Sequence, residues 1–440
     1  MPHAGLAEVD VTPPLGIGMS GHWYIRQAET VRDPLFAHAL VLDDGAAPVC
    51  LITVDVLSLQ RGTVLRCREA IAQATGLSPE RIGISATHTH YGPLTARLWT
   101  RDEVPDADYL AKLEAGIVRA ATQAWEARRP AQVAIGWAFE GKLSFNRRFM
   151  MRSGEVVMHP PIASTDILCQ EGKTDPEVGV ISVRDADGAP MGWWVNFACH
   201  ATVTGAAAAI SADFPGELAR AMRERHGPDV VTLFGNGCCA NLCQIDVYDS
   251  DRPRSGDELL RHMGDKLADD VARAEQGAQF TNELPVDARA VETAIPLRHV
   301  DPVVEAAARE LLEDEEYDDG DATAHREHKY AEMIVELVEE KRERPLVPAE
   351  IQAFRLGDVG IVMLPGEIFT EHGLTIKLQS PARRTFVVEL ANGIVGYVPT
   401  REAFLGGGYE QRLGNNSKLS PVAGEVMTET ALALLDSMFR

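Results

Sequence analysis

The run Arg81-Ile82-Gly83-Ile84 reads as a short apolar strand that leads directly into Ser85-Ala86-Thr87-His88-Thr89-His90, and Gly92-Pro93 then stops it. Two histidines at a strand exit constrain the fold strongly, because only a rigid framework can hold both in one place. Side chains in an extended segment alternate faces, so His88 and His90 are predicted to point one way and Thr87 and Thr89 the other. Paired imidazoles suit metal binding or proton transfer; two solvated or core histidines are the plainer alternative. The pattern recurs. Residues 192–199 form an apolar run that ends at His200, and residues 360–364 run through Pro365-Gly366 into Glu367.

Between these points strand-like and helix-like patterns alternate, which predicts an α/β chain of mixed α+β character, its sheets flanked by helices. Strands are expected over 7–14, 37–42, 48–57, 132–139, 178–183, 230–234, 286–298, 351–356 and 385–390. Helices are expected over 62–75, 106–127, 254–275 and 422–439, with two more in 303–342 around Asp318-Asp319-Gly320. A further helix starts near Asp213, read as its N-cap, with Pro215 in the first turn. Asp55, at the end of an apolar strand, is either a strand-end cap or a group aimed at the histidines. Arg147 and Arg148 are either surface charge or, inside a cleft, a clamp for an anion or carbonyl. His325 and His328 stand among Glu, Lys and Arg near the acidic run 313–321, the composition of a solvated helix face. Pro345-Leu346-Val347-Pro348 is the best connector in a chain without repeats or tethers.

Composition excludes several functions. With 65 acidic against 42 basic residues the net charge is -23, which disfavours nucleic acid or an anionic membrane as partner. No apolar run reaches membrane-spanning length and the N-terminus lacks a signal-peptide pattern, so a cytoplasmic protein is expected. Seven cysteines, an odd number set mostly in apolar segments, fit reduced core thiols rather than a disulfide framework. Cys238, Cys239 and Cys243 lack the CxxC spacing of a zinc site.

Taken together, Ser85 to His90 with Gly92-Pro93, Asn196-Phe197-Ala198-Cys199-His200, Ser211 to Glu217, Pro365-Gly366-Glu367, and Gly396-Tyr397 with Tyr409-Glu410 resemble the catalytic domain of the neutral/alkaline (non-lysosomal) ceramidase superfamily. Asp10-Val11-Thr12-Pro13-Pro14 resembles its start. The resemblance implies one domain over residues 5–440, without the separate C-terminal β-sandwich of neutral ceramidases. It implies a Zn²⁺ ion held by His88, His200, Glu367 and Tyr397, with His90 beside the catalytic water and moving the proton, helped by Glu367. Tyr409 would face the substrate carbonyl and, with Arg147, steady the oxyanion. The expected reaction is hydrolysis of an N-acyl amide. The segment that holds a sphingoid head group in ceramidases reads here Ala240-Asn241-Leu242-Cys243-Gln244, so a smaller, more soluble amide is expected. An esterase or lactonase on the same scaffold, or a binding protein that uses metal only for stability, are the alternatives.

Overall fold

The computed structural model describes residues 1–97, 99–100, 103–313 and 321–440. Two sheets form the centre. The larger has eight strands in the spatial order Val231–Asn236, Pro190–Phe197, Glu177–Asp185, Arg129–Phe139, His3–Asp10, Phe36–Asp43, Val49–Val54, Ile82–Ala86. The smaller has Val286–Pro296, Leu346–Leu356, Val359–Met363 and Arg384–Val388. Alternation along each strand decides what lies on either face. Leu40, Leu42, Val49 and Leu51 turn inward and meet Phe354, Ile361, Met363 and Phe386 of the smaller sheet, a sheet-on-sheet core. Their neighbours Ala39, Val41, Cys50 and Ile52 face outward, under helices Arg61–Thr75 and Ala107–Glu126. Helices Asp213–His226 and Asp257–Gln276 cover the other half through Phe214, Leu218, Met263 and Leu267. On the far side of the smaller sheet, Met427, Leu434 and Leu435 of helix Ala423–Phe439 pack on Ile351, Ala353 and Val362. The result is four layers, helix, sheet, sheet, helix, and the expected mixed α+β class.

Several local expectations change. The strand into the first histidines ends at Ala86, and His88 adopts a left-handed backbone with φ of 68°, so alternation in an extended segment does not orient these imidazoles. Asp213 is not the N-cap residue, although its Oδ1 accepts from Phe214 N in the first turn at 2.9 Å. It is the first helical residue, and its carboxylate turns back to accept from Val203 N at 2.9 Å and Thr204 N at 2.8 Å, bracing the loop after His200. Pro345-Leu346-Val347-Pro348 is not a connector but leads into the strand Leu346–Leu356. At Pro348 that strand has a paired neighbour on one side only, where a missing N–H is tolerated. The segment Asp318-Asp319-Gly320 lies outside the described residues; helices Pro302–Leu312 and Ala322–Glu343 flank it.

Asp55 takes the strand-end role. Its Oδ2 accepts from Phe36 N at 2.9 Å and lies 3.5 Å from His38 Nε2, while Glu8 Oε2 stands 3.5 Å from His38 Nδ1. Burial opposes a charge on His38, yet these two carboxylates outweigh it and raise its pKa to about 9. A raised folded-state pKa gives stability that is complete below the unfolded value near ~6.5 and is lost as pH rises through the folded one. We expect the urea midpoint to fall between pH 6.5 and about 9, by a stability loss of up to ~3 kcal/mol, and His38→Gln to flatten that slope. Equal slopes for both proteins would show that His38 is neutral when folded.

Candidate metal centre

The ligand-type side chains gather where strands of both sheets end, the usual place for a site in α/β architecture. His88 follows Ile82–Ala86, His200 follows Pro190–Phe197, and Glu367 follows Val359–Met363. Backbone bonds fix the meeting: His88 N donates to Val56 O at 3.1 Å, His90 N to Ala201 O at 3.1 Å, and Glu367 N to Gly396 O at 3.0 Å. Glu367 also pairs directly with Tyr397 across a short parallel bridge.

Each imidazole is oriented by a main-chain carbonyl. His88 Nδ1 lies 3.0 Å from Leu57 O, His90 Nδ1 2.8 Å from Gly21 O, and His200 Nδ1 2.8 Å from Cys239 O. A carbonyl only accepts, so each Nδ1 carries the proton and each Nε2 is left with its lone pair. Those nitrogens converge: His90 Nε2 is 3.2 Å from His88 Nε2, and a ligand atom from each of the three rings falls within 4.8 Å of the others. Glu367 Oε2 is 3.5 Å from both His88 Nε2 and His200 Nε2 and, although buried, has no hydrogen-bond partner. Converging nitrogens and a carboxylate oxygen without a hydrogen-bond partner favour positive charge among them, part of which Arg147 supplies from beside His200 Nε2. The donor set of His88, His90, His200 and Glu367 therefore fits a divalent cation.

Burial holds two of the three rings neutral. Burial and then the neighbouring Arg147 push His200 down to about 3, which keeps it a neutral donor at ordinary pH. Burial, with His88 and His200 adding to it, holds His90 well below the usual histidine range. Burial also opposes charge on His88 and on Glu367, but their mutual attraction wins: the histidine is raised and the carboxyl lowered. Tyr397 is raised by burial and by Glu367, so its phenol stays protonated without a cation.

Arg147 arrives from behind. Its Nε donates to Glu410 Oε1 at 2.9 Å, one terminal nitrogen lies 3.2 Å from His200 Nε2, and the other donates to Tyr397 Oη at 3.4 Å. Arg148 donates to Glu410 Oε2 at 2.6 Å and also pairs with Glu171. The adjacent arginines are thus buried and shared by one carboxylate, not surface charge. A cavity of about 400 Å³ opens onto His88, His90, Glu367, Tyr397 and Tyr409. Arg147 and His200 are not among its lining residues. Cys243 and Gln244 are not there either; both are buried, and Gln244 is bound to Thr202 and Arg254.

Three parts of the centre had no sequence signal: the carbonyls of Leu57, Gly21 and Cys239, the carboxylate of Glu410 as the partner of both arginines, and buried Glu389. Glu389 accepts from Ile368 N at 2.7 Å and from the Cys239 thiol at 2.9 Å, and burial raises its pKa to about 8. His325 and His328 stand on the charged helix Ala322–Glu343, both half-buried where a solvated face was expected.

These observations define a class: a mixed α+β protein with a buried histidine and carboxylate centre at its strand ends. Its fold is that of the neutral ceramidases. The chain superposes on neutral ceramidase from Pseudomonas aeruginosa with a TM-score of 0.75 and 19% identity, over 100% of this chain and 74% of that one. It matches a ceramidase complexed with C2 at a TM-score of 0.75 and 18% identity, over 99% of this chain and 75% of that one. No protein-family model matches the sequence. At this level of identity the likeness is one of fold.

Proposed function

We propose that this chain, over residues 5–440 as one catalytic unit, is a zinc-dependent hydrolase of acyl amides. The observation that carries the reading is the convergence of three imidazoles on the partnerless oxygen of Glu367 at the end of a cavity. His88, His200 and Glu367 hold the metal, and Tyr397 joins them as a fourth donor. When bound, Zn²⁺ supplies Lewis-acid polarisation and brings the pKa of a water toward ~7. Amide and water give a carboxylic acid and an amine, so one proton must travel to the leaving nitrogen. His90 moves it, because its Nε2 lines the cavity, its Nδ1–H is anchored on Gly21, and its low pKa favours releasing a proton once taken. Tyr409 donates its hydroxyl to the oxyanion from the cavity wall. Arg147 acts indirectly, holding Tyr397 and His200 in place while itself held by Glu410.

A dissolved substrate is favoured over a membrane-held one. The cavity of about 400 Å³ has room for a small amide. Six of the seven cysteines are buried and all seven are unpaired, which supports action in the reducing cytoplasm.

The test is metal analysis joined to a substrate panel. One zinc per chain is expected, with hydrolysis of short N-acyl amides lost on chelation and restored by Zn²⁺. Small esters, lactones and detergent-dispersed ceramide complete the panel and decide the bond and the size of substrate. Full amide hydrolysis by metal-free protein would overturn the proposal.

A further inference from the structure

The wall of the cavity carries an excess of cations that the hydrolytic chemistry does not require. Acidic residues outnumber basic ones 65 to 42 in this chain, so an ordinary patch of its surface is acidic. The cavity instead presents Arg61, Arg97, Arg344 and Lys418 against Glu350 and Glu367. Glu367 faces the histidines. Glu350 is answered by Arg68 at 2.5 Å and Arg61 at 3.5 Å, and Arg61 is further paired with Glu292. Lys418 reaches Glu340 at 3.2 Å. Arg97, half-buried, and Arg344, exposed, remain without a carboxylate in ion-pair contact among the described residues. Glu336, Glu339, Glu340 and Glu343 share an adjoining depression with these two arginines.

A second observation points the same way. Asn416 lines the cavity at 5% exposure; the Tyr330 hydroxyl lies beside its carboxamide, and no group within strict hydrogen-bond geometry satisfies its Nδ2 or Oδ1. One neighbouring hydroxyl can answer only part of a buried carboxamide, which leaves capacity for a ligand that accepts or donates. Two guanidinium groups with a carboxamide complement a carboxylate carried on an amide, which supplies the acceptor oxygens and the N–H together. The remaining wall, Leu57, Trp99, Ile394 and Val395, gives a short acyl chain an apolar surface.

We infer that the substrate is a small acidic amide, an N-acyl amide whose carboxylate is held by Arg97 and Arg344 while Asn416 binds its polar body. This rests on the hydrolase reading above and narrows it to a substrate class. It also gives the two arginines a role in specificity rather than in the chemical step.

The experiment compares N-hexanoylglycine with its methyl ester, which differ in the charge at one end. On the zinc-loaded full chain, both kcat/KM for the amide bond and calorimetric binding are measured, with Arg97→Gln/Arg344→Gln alongside. The acid should be favoured about ten-fold over the ester, and the double variant should bring the two within about two-fold of each other. Equal treatment of acid and ester by the native protein, or binding of neither, overturns the inference. So does a preference that survives the double variant, since the carboxylate would then be held elsewhere, for instance by the metal. If neither compound is cleaved, the hydrolase reading fails for this pair, and the calorimetric ratio still decides whether the cavity selects a carboxylate.

Discussion

Replacing His88 with alanine should empty the metal centre and reduce amide hydrolysis by at least about 10³-fold, the scale expected when several kcal/mol of charge stabilisation is removed. His88 is the ring closest to the other donors, with Nε2 3.2 Å from that of His90 and 3.5 Å from Glu367 Oε2. Without it, Glu367 loses its strongest electrostatic partner and sits buried beside His200, whose pKa of about 3 leaves it unable to supply compensating charge. The backbone demands a control. His88 lies at φ 68°, a region that alanine tolerates poorly and asparagine better, so His88→Asn should preserve the fold more fully while still losing metal. Zinc content by elemental analysis, kcat/KM and a thermal melt on both variants separate loss of the centre from loss of structure. Stoichiometric zinc with native activity in either variant would mean that the centre is built elsewhere.

What the sequence made legible follows from which interactions leave a local trace. Strand endings did: apolar runs that stop near His88, His200 and Glu367 point to these side chains without knowledge of sheet order, because a side chain just beyond a strand is placed by that strand. Helices with a clear apolar stripe were legible too, as with Ala107–Glu126, where Asp106 caps the first turn by accepting from Tyr109 N. The convergence of His88 and His90 was expected for a reason that does not hold. The strand stops at Ala86, and a left-handed residue with anchoring carbonyls does what alternation was supposed to do. Those carbonyls could not be foreseen, since every residue has one and only the tertiary fold selects Leu57, Gly21 and Cys239. Asp213 misled for a related reason: a carboxylate at a helix start ordinarily serves that helix, whereas this one gives one oxygen to Phe214 N and the other to the preceding loop. The doubt over Arg147 and Arg148 had the same origin, because their shared partner lies more than 260 positions away.

That partner carries the second large effect. Glu410→Gln should cost about 3–5 kcal/mol of unfolding free energy, the range for breaking a buried ion pair from one side. Glu410 is fully buried, takes Arg147 on one oxygen and Arg148 on the other, and is held ionised by both against the penalty of burial. Glutamine keeps the shape and removes the charge. Arg148 would retain Glu171, but Arg147 would keep no carboxylate in salt-bridge contact and would stand next to His200 and the Tyr397 hydroxyl as an uncompensated cation. Its positive charge would then bear more heavily on the metal centre, so zinc affinity and kcat should fall together while KM moves less. A double-mutant cycle with Arg147→Met isolates the pair: removing both charges should restore part of the lost stability, with a coupling energy above about 2 kcal/mol. Metal affinity should recover in the double variant if Arg147 weakens the centre only when unpaired. Urea denaturation of the four proteins measures the first quantity and competition with a zinc chelator the second. A Glu410→Gln protein within about 1 kcal/mol of native would show that the two arginines do not depend on this carboxylate, and the support proposed for His200 and Tyr397 would fall with it.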